Sequence, residues 1–440
     1  MATQNALTPE AFAARLDALV PPKKLALALS GGRDSVALLQ LCADYARRKG
    51  LALFAYTVDH GLRAEAGREA QQAAGWARAA GAAHRILKWT GDKPASGVQA
   101  AARKARYRLM IEAAQADGCE ALVTAHTLDD QAETLFMRLS RGAGTNGLAA
   151  MREETLAASG AGAPIRLLRP LLSFSRENIT QWLGAIGQDF VDDPSNLDPT
   201  FERVRVRAVL AALGEQDLLT GAALAETAAK AAKAADRLAG EEDALFDRFG
   251  GCFYGWGGVS LDRWRGDAPG SAGLARRLIH AAGGGEFAPD EEAAADAVEN
   301  AAETGGGALG GALIRLFKGR LWFLREPAAL LGRAGQAAAS PEPLEGALLW
   351  DRRFIISVRG ESEGLEIAPL GTAAPEFLGA RAGLFRGPAE GLSALPGLYQ
   401  RGVLIGAPSL PFMGKGPKTA GAAATSLAKE RYMGGIVRFY

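Results

Sequence analysis

The sequence predicts a mixed α/β chain: a parallel-sheet domain over residues 1–213, a mainly helical middle region over 214–330, and a small α+β region over 344–440. Three observations carry this. Between Leu25 and Ala125 short apolar runs alternate with longer helical stretches, the pattern of right-handed βαβ units. A double-glycine turn, Ser30-Gly31-Gly32-Arg33-Asp34-Ser35, separates the first such run from the first helix. After Gly214 the chain becomes rich in Ala, Leu and Lys without strand signals, and short strand-like runs broken by Gly and Pro return towards the C-terminus.

Taken in order, Thr8 and Pro9 read as N-cap and first residue of an amphipathic helix through Val20. Strands are expected at Leu25–Leu29, Leu53–Val58, His84–Trp89 and Ala121–Ala125, with helices at Val36–Lys49, Arg68–Ala80 and Gln99–Asp117 between them. A further helix, Ser175–Ile186, precedes the loop Asp192–Thr200 and the basic segment Arg203–Arg207. Residues 312–327, ALIRLFKGRLWFLREP, read as a hairpin turning at Lys318 and Gly319, and Ala328–Pro343 as a low-complexity linker.

Composition narrows the function classes. At 440 residues the chain can hold two or three domains, and its 48% hydrophobic and 22% charged content is that of a globular protein. A net charge of +1 excludes a uniformly basic nucleic-acid binder, so any RNA partner must meet local patches. One such patch is expected between Gly61 and Met110, where ten Lys or Arg face three Asp or Glu. Three isolated cysteines without a CxxC argue against disulfides, structural zinc and iron–sulfur clusters, and fit the cytoplasm. No run of about 18 apolar residues and no leader-like N-terminus is present, so neither a membrane partner nor export is expected.

The chemistry is expected at three strand ends, which meet on one rim of such a sheet. The turn Ser30–Ser35 brings backbone N–H groups, two hydroxyls and a helix N-terminus to one place, a phosphate cradle. It lacks both the Walker spacing and GxGxxG. In Val58–Arg63, Asp59 could orient a nucleotide or a metal-bound water, His60 could hold phosphate or act as an acid, and Arg63 could neutralise charge; a solvated loop would read the same. In Ala125–Thr134 a helix from about Leu128 places Asp130 and Glu133 on one face, after His126. Such acids could hold magnesium, receive an ammonium, or merely complement the helix dipole. Arg103, Lys104, Arg106 and Arg108 form a basic face suited to RNA phosphates or simply to water.

Together these segments resemble one family. SGGRDS resembles the PP-loop of the ATP pyrophosphatases. The order SGGRDS, VDHGLR, QAAARKARY, AHTLDDQAETLFMRLSRGAGTNGLAAM, RPLL, DDPSN and RVRVR is similar to that of the tRNA(Ile)-lysidine synthetases. Two departures stand out: Thr127 follows His126 where the family often has a second histidine, and Val204 follows Arg203 where it often has asparagine. The resemblance implies a PP-loop ATPase domain, ATP and Mg2+ as co-substrate and cofactor, and free L-lysine and CAU-anticodon tRNA(Ile) as partners. It implies a ligase that adenylates C2 of cytidine 34 and then joins lysine there, releasing pyrophosphate and AMP. By resemblance Ser30, Gly31, Gly32, Arg33, Asp34, Ser35, Asp59 and His60 bind ATP. Arg103, Arg106, His126, Asp130, Glu133, Arg203 and Arg207 bind the other substrates, Asp34, Arg106, Asp130 and Glu133 are catalytic, and Asp34 with Asp130 holds magnesium. The regions after residue 213 would contact tRNA, with Lys230, Lys233, Arg237, Lys415 and Lys418 as candidate cations. A PP-loop tRNA thiolase is the alternative, weakened by the missing cysteine pair; an amide ligase or a non-catalytic tRNA binder would share only parts of the pattern.

Overall fold

The computed structural model describes residues 6–61, 66–90, 93–94, 96–160, 162–192, 198–332, 339–360, 362–379, 384–410, 420–434 and 436–438. Contacts divide the chain into two compact units, residues 1–159 with 165–237 and 439–440, and residues 160–164 with 238–438.

The first unit contains α1 (Pro9–Ala18), β1 (Lys24–Ala28), α2 (Arg33–Lys49), β2 (Ala52–Asp59), α3 (Ala66–Ala79), β3 (Ala83–Lys88), α4 (Val98–Ala116), β4 (Ala121–Val123) and α5 (Leu128–Leu139). It continues with α6 (Thr145–Leu148), β5 (Glu154–Ala158), β6 (Ile165–Leu168), α7 (Arg176–Ala185), α8 (Glu202–Glu215) and the start of α9 (Gly221–Arg248). Each of the four expected strands and four expected helices up to α4 is present. Thr8 caps α1, its hydroxyl accepting from the Ala11 N–H at 3.1 Å.

The strands run in the order β5-β6-β4-β1-β2-β3, all parallel except β5 against β6. Both faces are covered because β1 alternates: Leu25 and Leu27 pack with α1, α2, α3 and α7, while Ala26 joins Tyr56 and the α4 residues Tyr107, Met110 and Ile111. From β1 the chain builds outward through β2 to β3, then crosses back to β4 on the other side. The crevice outside the carboxyl ends of β1 and β4 is therefore the switch point where such sheets bind ligands.

The second unit holds β7 (Cys252–Phe253), β8 (Val259–Leu261), α10 (Ser271–Gly283), α11 (Glu291–Thr304), β9 (Gly306–Leu309), β10 (Ala312–Phe317), β11 (Arg320–Arg325) and α12 (Ala328–Leu331). After these come β12 (Glu342–Pro343), β13 (Ala347–Trp350), β14 (Phe354–Gly360), β15 (Leu365–Pro369), α13 (Ala374–Leu378), β16 (Pro396–Gln400), β17 (Val403–Gly406), β18 (Ala420–Ser426) and α14 (Ala428–Tyr432). Its sheets are β7-β8-β11-β10-β9, β12-β15-β16-β17 and β13-β14-β18. The hairpin β10–β11 turns at Lys318 and Gly319, both at positive φ, as read from the sequence.

Two expectations need correction here. The stretch taken as a linker begins in α12 and ends in β12. More important, the expected boundary between 330 and 344 does not separate two cores: Trp256, Trp322 and Leu324 pack in one cluster with Trp350, Phe354, Ile367 and Leu398. Arg325 of β11 also forks onto Asp351 through Nε and Nη2, each at 3.0 Å. Short strands with apolar faces on only one side cannot be stable alone, so they share a core with the sheet before them. The expected boundary at 213 falls in the last turn of α8, whereas the contact boundary lies within α9.

Candidate active site

The phosphate cradle is shaped by glycine and closed by hydroxyls. Gly31 has φ +85°, and its carbonyl accepts from the Val191 N–H at 2.9 Å, fixing the loop against the segment after α7. Gly32 is the N-cap of α2, so Arg33, Asp34 and Ser35 form the first turn, whose N–H groups have no intrahelical carbonyl to bond. Ser35 is buried; its hydroxyl donates to Gly32 O at 2.9 Å, accepts from Ser30 N–H at 3.1 Å and lies 3.1 Å from Ser30 Oγ. It therefore braces the loop, and Ser30 is the more available hydroxyl. Alanine at Gly31 would meet Val191 and Ala73 only at ordinary distances of 3.6 and 3.7 Å, so its cost is conformational, about 1–2 kcal/mol. Gly31→Ala is expected to weaken ATP binding about ten-fold by calorimetry; undiminished affinity would show that the cradle tolerates another loop shape.

Beside it, β2 ends in Asp59, whose Oδ1 accepts from the Gly61 N–H at 2.8 Å and shapes the turn. His60 Nε2 accepts from Arg106 Nε at 3.3 Å, which places the ring proton on Nδ1, a buried atom with no partner among the described residues. Burial, helped by Arg106, pushes the His60 pKa down to about 4. His60 is thus neutral at pH 7 and offers an N–H, which favours the phosphate-holding reading over that of an acid. Arg63 lies outside the described residues, as do residues 193–197 of the DDPSN loop. On α4, Ala102, Ala105 and Tyr107 are buried while Arg103, Lys104 and Arg106 are exposed, with the Arg103 guanidinium 5.1 Å from the Tyr107 ring centre.

The third strand end carries the acids. Thr127 caps α5, and the cap is reciprocal: the Thr127 N–H and hydroxyl both reach Asp130 Oδ2, at 2.8 and 3.0 Å. That is the work of the threonine that departs from the family pattern. His126 Nδ1 is 2.9 Å from Thr124 Oγ1, and burial pushes its pKa down to about 3 against the pull of Asp130. Burial alone would raise the Asp130 pKa, but Arg176, His126, the Thr127 N–H and Arg203 together hold it below the ordinary value.

Arg176 is the residue that sequence reasoning missed. It opens α7 behind the Ser175–Asn178 capping box and forks onto Glu133 Oε1 at 2.6 Å and Asp130 Oδ1 at 2.7 Å, with Nε 3.7 Å from Asp34 Oδ2. From α8, Arg207 Nε reaches Glu133 Oε1 at 3.0 Å and Arg203 Nη1 lies 3.9 Å from Asp130 Oδ1. Asp34 on α2, Asp130 and Glu133 on α5, and Arg203 and Arg207 on α8 are thus brought together around a cation from a fourth element. A signal existed: a positive residue in the first turn opposes the helix dipole and calls for nearby anions.

A magnesium ion fits this group in part. Asp34 is 24% exposed beside the cradle and suits the one or two carboxylates that phosphate-borne magnesium takes. Asp130 has both oxygens engaged, and among the described residues there is no group of three or more His, Cys, Asp or Glu side chains that could hold a metal. A cavity of about 220 Å³ lined by Asp129, Ser173, Ser175, Asn178 and Thr220 adjoins the start of α5. Among the described residues no helix is long and apolar enough to cross a membrane.

An α/β sheet with a serine–glycine phosphate cradle at its switch point defines a PP-loop protein, and residues 8–213 match the family model ATP_bind_3, described as a PP-loop domain. The chain is 36% identical over 363 residues to the tRNA(Ile)-lysidine synthase of Ruegeria pomeroyi, covering 80% of this chain and 81% of that protein. It is 37% identical over 372 residues to that of Mesorhizobium japonicum, covering 80% and 76%. With that of Bradyrhizobium sp. (strain BTAi1 / ATCC BAA-1182) it shares 48% identity over 219 residues, covering 49% of this chain and 60% of that protein. The chain belongs to the tRNA(Ile)-lysidine synthase family. Across four of the curated relatives the matched share of their own length is smaller, from 46% to 60%.

Proposed function

We propose that the chain is a cytoplasmic ligase that makes lysidine from ATP, free L-lysine and CAU-anticodon tRNA(Ile). The observation that carries this reading is the joining of a phosphate cradle to a buried acidic pair through one guanidinium: Arg176 reaches Asp34 on α2 and both Asp130 and Glu133 on α5. Activation and amine delivery are then next to each other. In the first step the cytidine O2 attacks the α-phosphorus, an O–P bond forms, and the bond to the β-phosphate oxygen breaks to release pyrophosphate. In the second, the lysine ammonium first loses a proton to the unpartnered Glu133 oxygen, the neutral amine attacks C2, the C–O bond breaks with its electrons leaving on AMP, and the proton then shed by the bonded nitrogen passes to solvent. Adenylation is needed because a ring carbonyl oxygen is a very poor leaving group until it is a phosphate ester.

Ser30 and the N–H groups of Gly32 to Ser35 hold the phosphates, with Asp59 and the neutral His60 on the nucleotide side. Magnesium would neutralise phosphate charge, carried with Asp34. Glu133, through its unpartnered Oε2 and with Asp130 adding negative charge beside it, receives the lysine ammonium, while Arg103, Arg106, Arg203 and Arg207 approach the anticodon nucleotide and its phosphates. The remaining tRNA contacts fall to later surfaces. Of these, Lys230 is already paired to Glu226 at 2.9 Å, Lys233 is exposed, and Lys415 and Lys418 lie outside the described residues. Cys42, Cys119 and Cys252 are all free thiols and Cys42 and Cys119 are buried, which suits a reducing compartment and disfavours a thiolase.

Radiolabelled lysine should enter CAU-anticodon tRNA(Ile) with AMP and pyrophosphate formed in step. ADP formation, or AMP without lysine transfer, would overturn the proposal.

A further inference from the structure

Arg176 does more than neutralise acids. Beyond its fork onto Asp130 and Glu133, its backbone N–H donates to Asp129 Oδ2 at 2.8 Å, and its side chain is only 16% exposed. Three carboxylates on two helices thus hold the guanidinium, and a fourth holds the backbone N–H. They leave one acceptor over. Glu133 is 2% exposed; its Oε1 accepts from both Arg176 and Arg207, whereas Oε2 is buried without a hydrogen-bond partner among the described residues. A buried carboxylate oxygen without a donor is costly, and a ligand that supplies one relieves that cost.

The two cationic groups of amino acids differ in what they need. A guanidinium is a planar fork satisfied by two oxygens at once, while an ammonium is a compact point charge that one strong acceptor can orient. Arg176 already takes the paired oxygens of Asp130 and Glu133. We propose that Arg176 is a positioning residue that makes the acidic pocket selective for a primary ammonium over a guanidinium, by filling the forked position and presenting Glu133 Oε2 as a single free acceptor. This rests on the reading of the pocket as the lysine site. The rest of the arrangement agrees: a second guanidinium would find one oxygen and a like charge where its fork should lie.

The test uses the full chain with L-lysine, L-arginine and n-butylammonium as probes. Wild type should bind L-lysine and n-butylammonium and exclude L-arginine by about ten-fold or more. Arg176→Ala should raise the KM for lysine about ten-fold or more, leave the KM for ATP within about two-fold, and make L-arginine a competitive inhibitor. Guanidinium ion at about 10 mM should restore the lysine KM of this variant and do nothing for wild type. Arg176→Lys keeps the charge without the fork, so it should fold like wild type and still admit L-arginine. A bare structural role would give neither response. If L-arginine stays excluded from both variants, or both KM values rise together without a guanidinium effect, the proposal is wrong. If wild type transfers no lysine yet binds n-butylammonium with the same dependence on Arg176, the reaction reading fails and this selectivity stands.

Discussion

Asp34→Ala is expected to lower the rate of adenylation by about 10²–10³-fold while tRNA binding changes little. The magnitude is that of losing one placed charge or donor in a preorganised site. An aspartate at the mouth of a phosphate cradle would by itself repel phosphate, so its presence needs cations beside it. Two are in place: Arg33 Nε at 2.8 Å from Oδ1 and Arg176 Nε at 3.7 Å from Oδ2. Removing the carboxylate releases Arg33 from the first turn of α2 and takes away one of the acids that hold Arg176. It also removes the half-buried carboxylate proposed to help carry magnesium. In the proposed reading tRNA is held instead through phosphate contacts from exposed cations such as Arg103 and Lys104, with which Asp34 makes no ion pair among the described residues. Pyrophosphate release per turnover measures the first effect and filter binding the second. An adenylation rate within two-fold of wild type would remove Asp34 from the site.

How far the sequence carries this picture depends on the range of the physics involved. The cradle was legible because Gly31 and Gly32 sit between an apolar run and a helix, and the positive φ of Gly31 is a local demand that only glycine meets easily. Asp130 and Glu133 were legible because helix spacing alone puts them on one face. Arg176 was not, because its partners lie 43 and 46 residues earlier in the chain and no local periodicity links them. The charge state of His60 was equally hidden, since burial and the approach of Arg106 from α4 set it. Thr127 looked like a gap in a histidine pair and proves to be half of a capping box, a pattern that Thr-x-x-Asp did announce. In the second unit, the hairpin turning at Lys318–Gly319 was readable from its turn. The shared core was not, because nothing local tells Trp322 that Trp350 will pack in the same cluster.

That shared core decides what a C-terminal truncation will report. Deleting Leu344 to Tyr440 is expected to unfold the rest of the second unit, residues 238–343, while ATP binding to the first unit persists. The deletion strips Trp350, Phe354, Ile356, Ile367 and Leu398, all buried, from the cluster that covers Trp256, Trp322 and Leu324. It also leaves the Arg325 guanidinium without Asp351, and the Arg277 guanidinium without the Tyr432 ring that lies 3.8 Å from it. Losing a single buried aromatic costs about 3–5 kcal/mol, against a total stability of about 5–15 kcal/mol for a domain. Several such losses exceed any reserve. Near-UV circular dichroism and tryptophan emission should show Trp256, Trp264 and Trp322 becoming solvated, and hydrogen exchange should lose protection across Ala312–Arg325. Phe354→Ala in the full chain should show the same change in milder form, as a lowered melting transition. A weaker grip on tRNA after truncation would therefore measure unfolding rather than the loss of particular contacts. If residues 238–343 kept their protection after the cut, the strands from β12 onward would be a separate domain after all, and the truncated chain could be used to assign tRNA contacts directly.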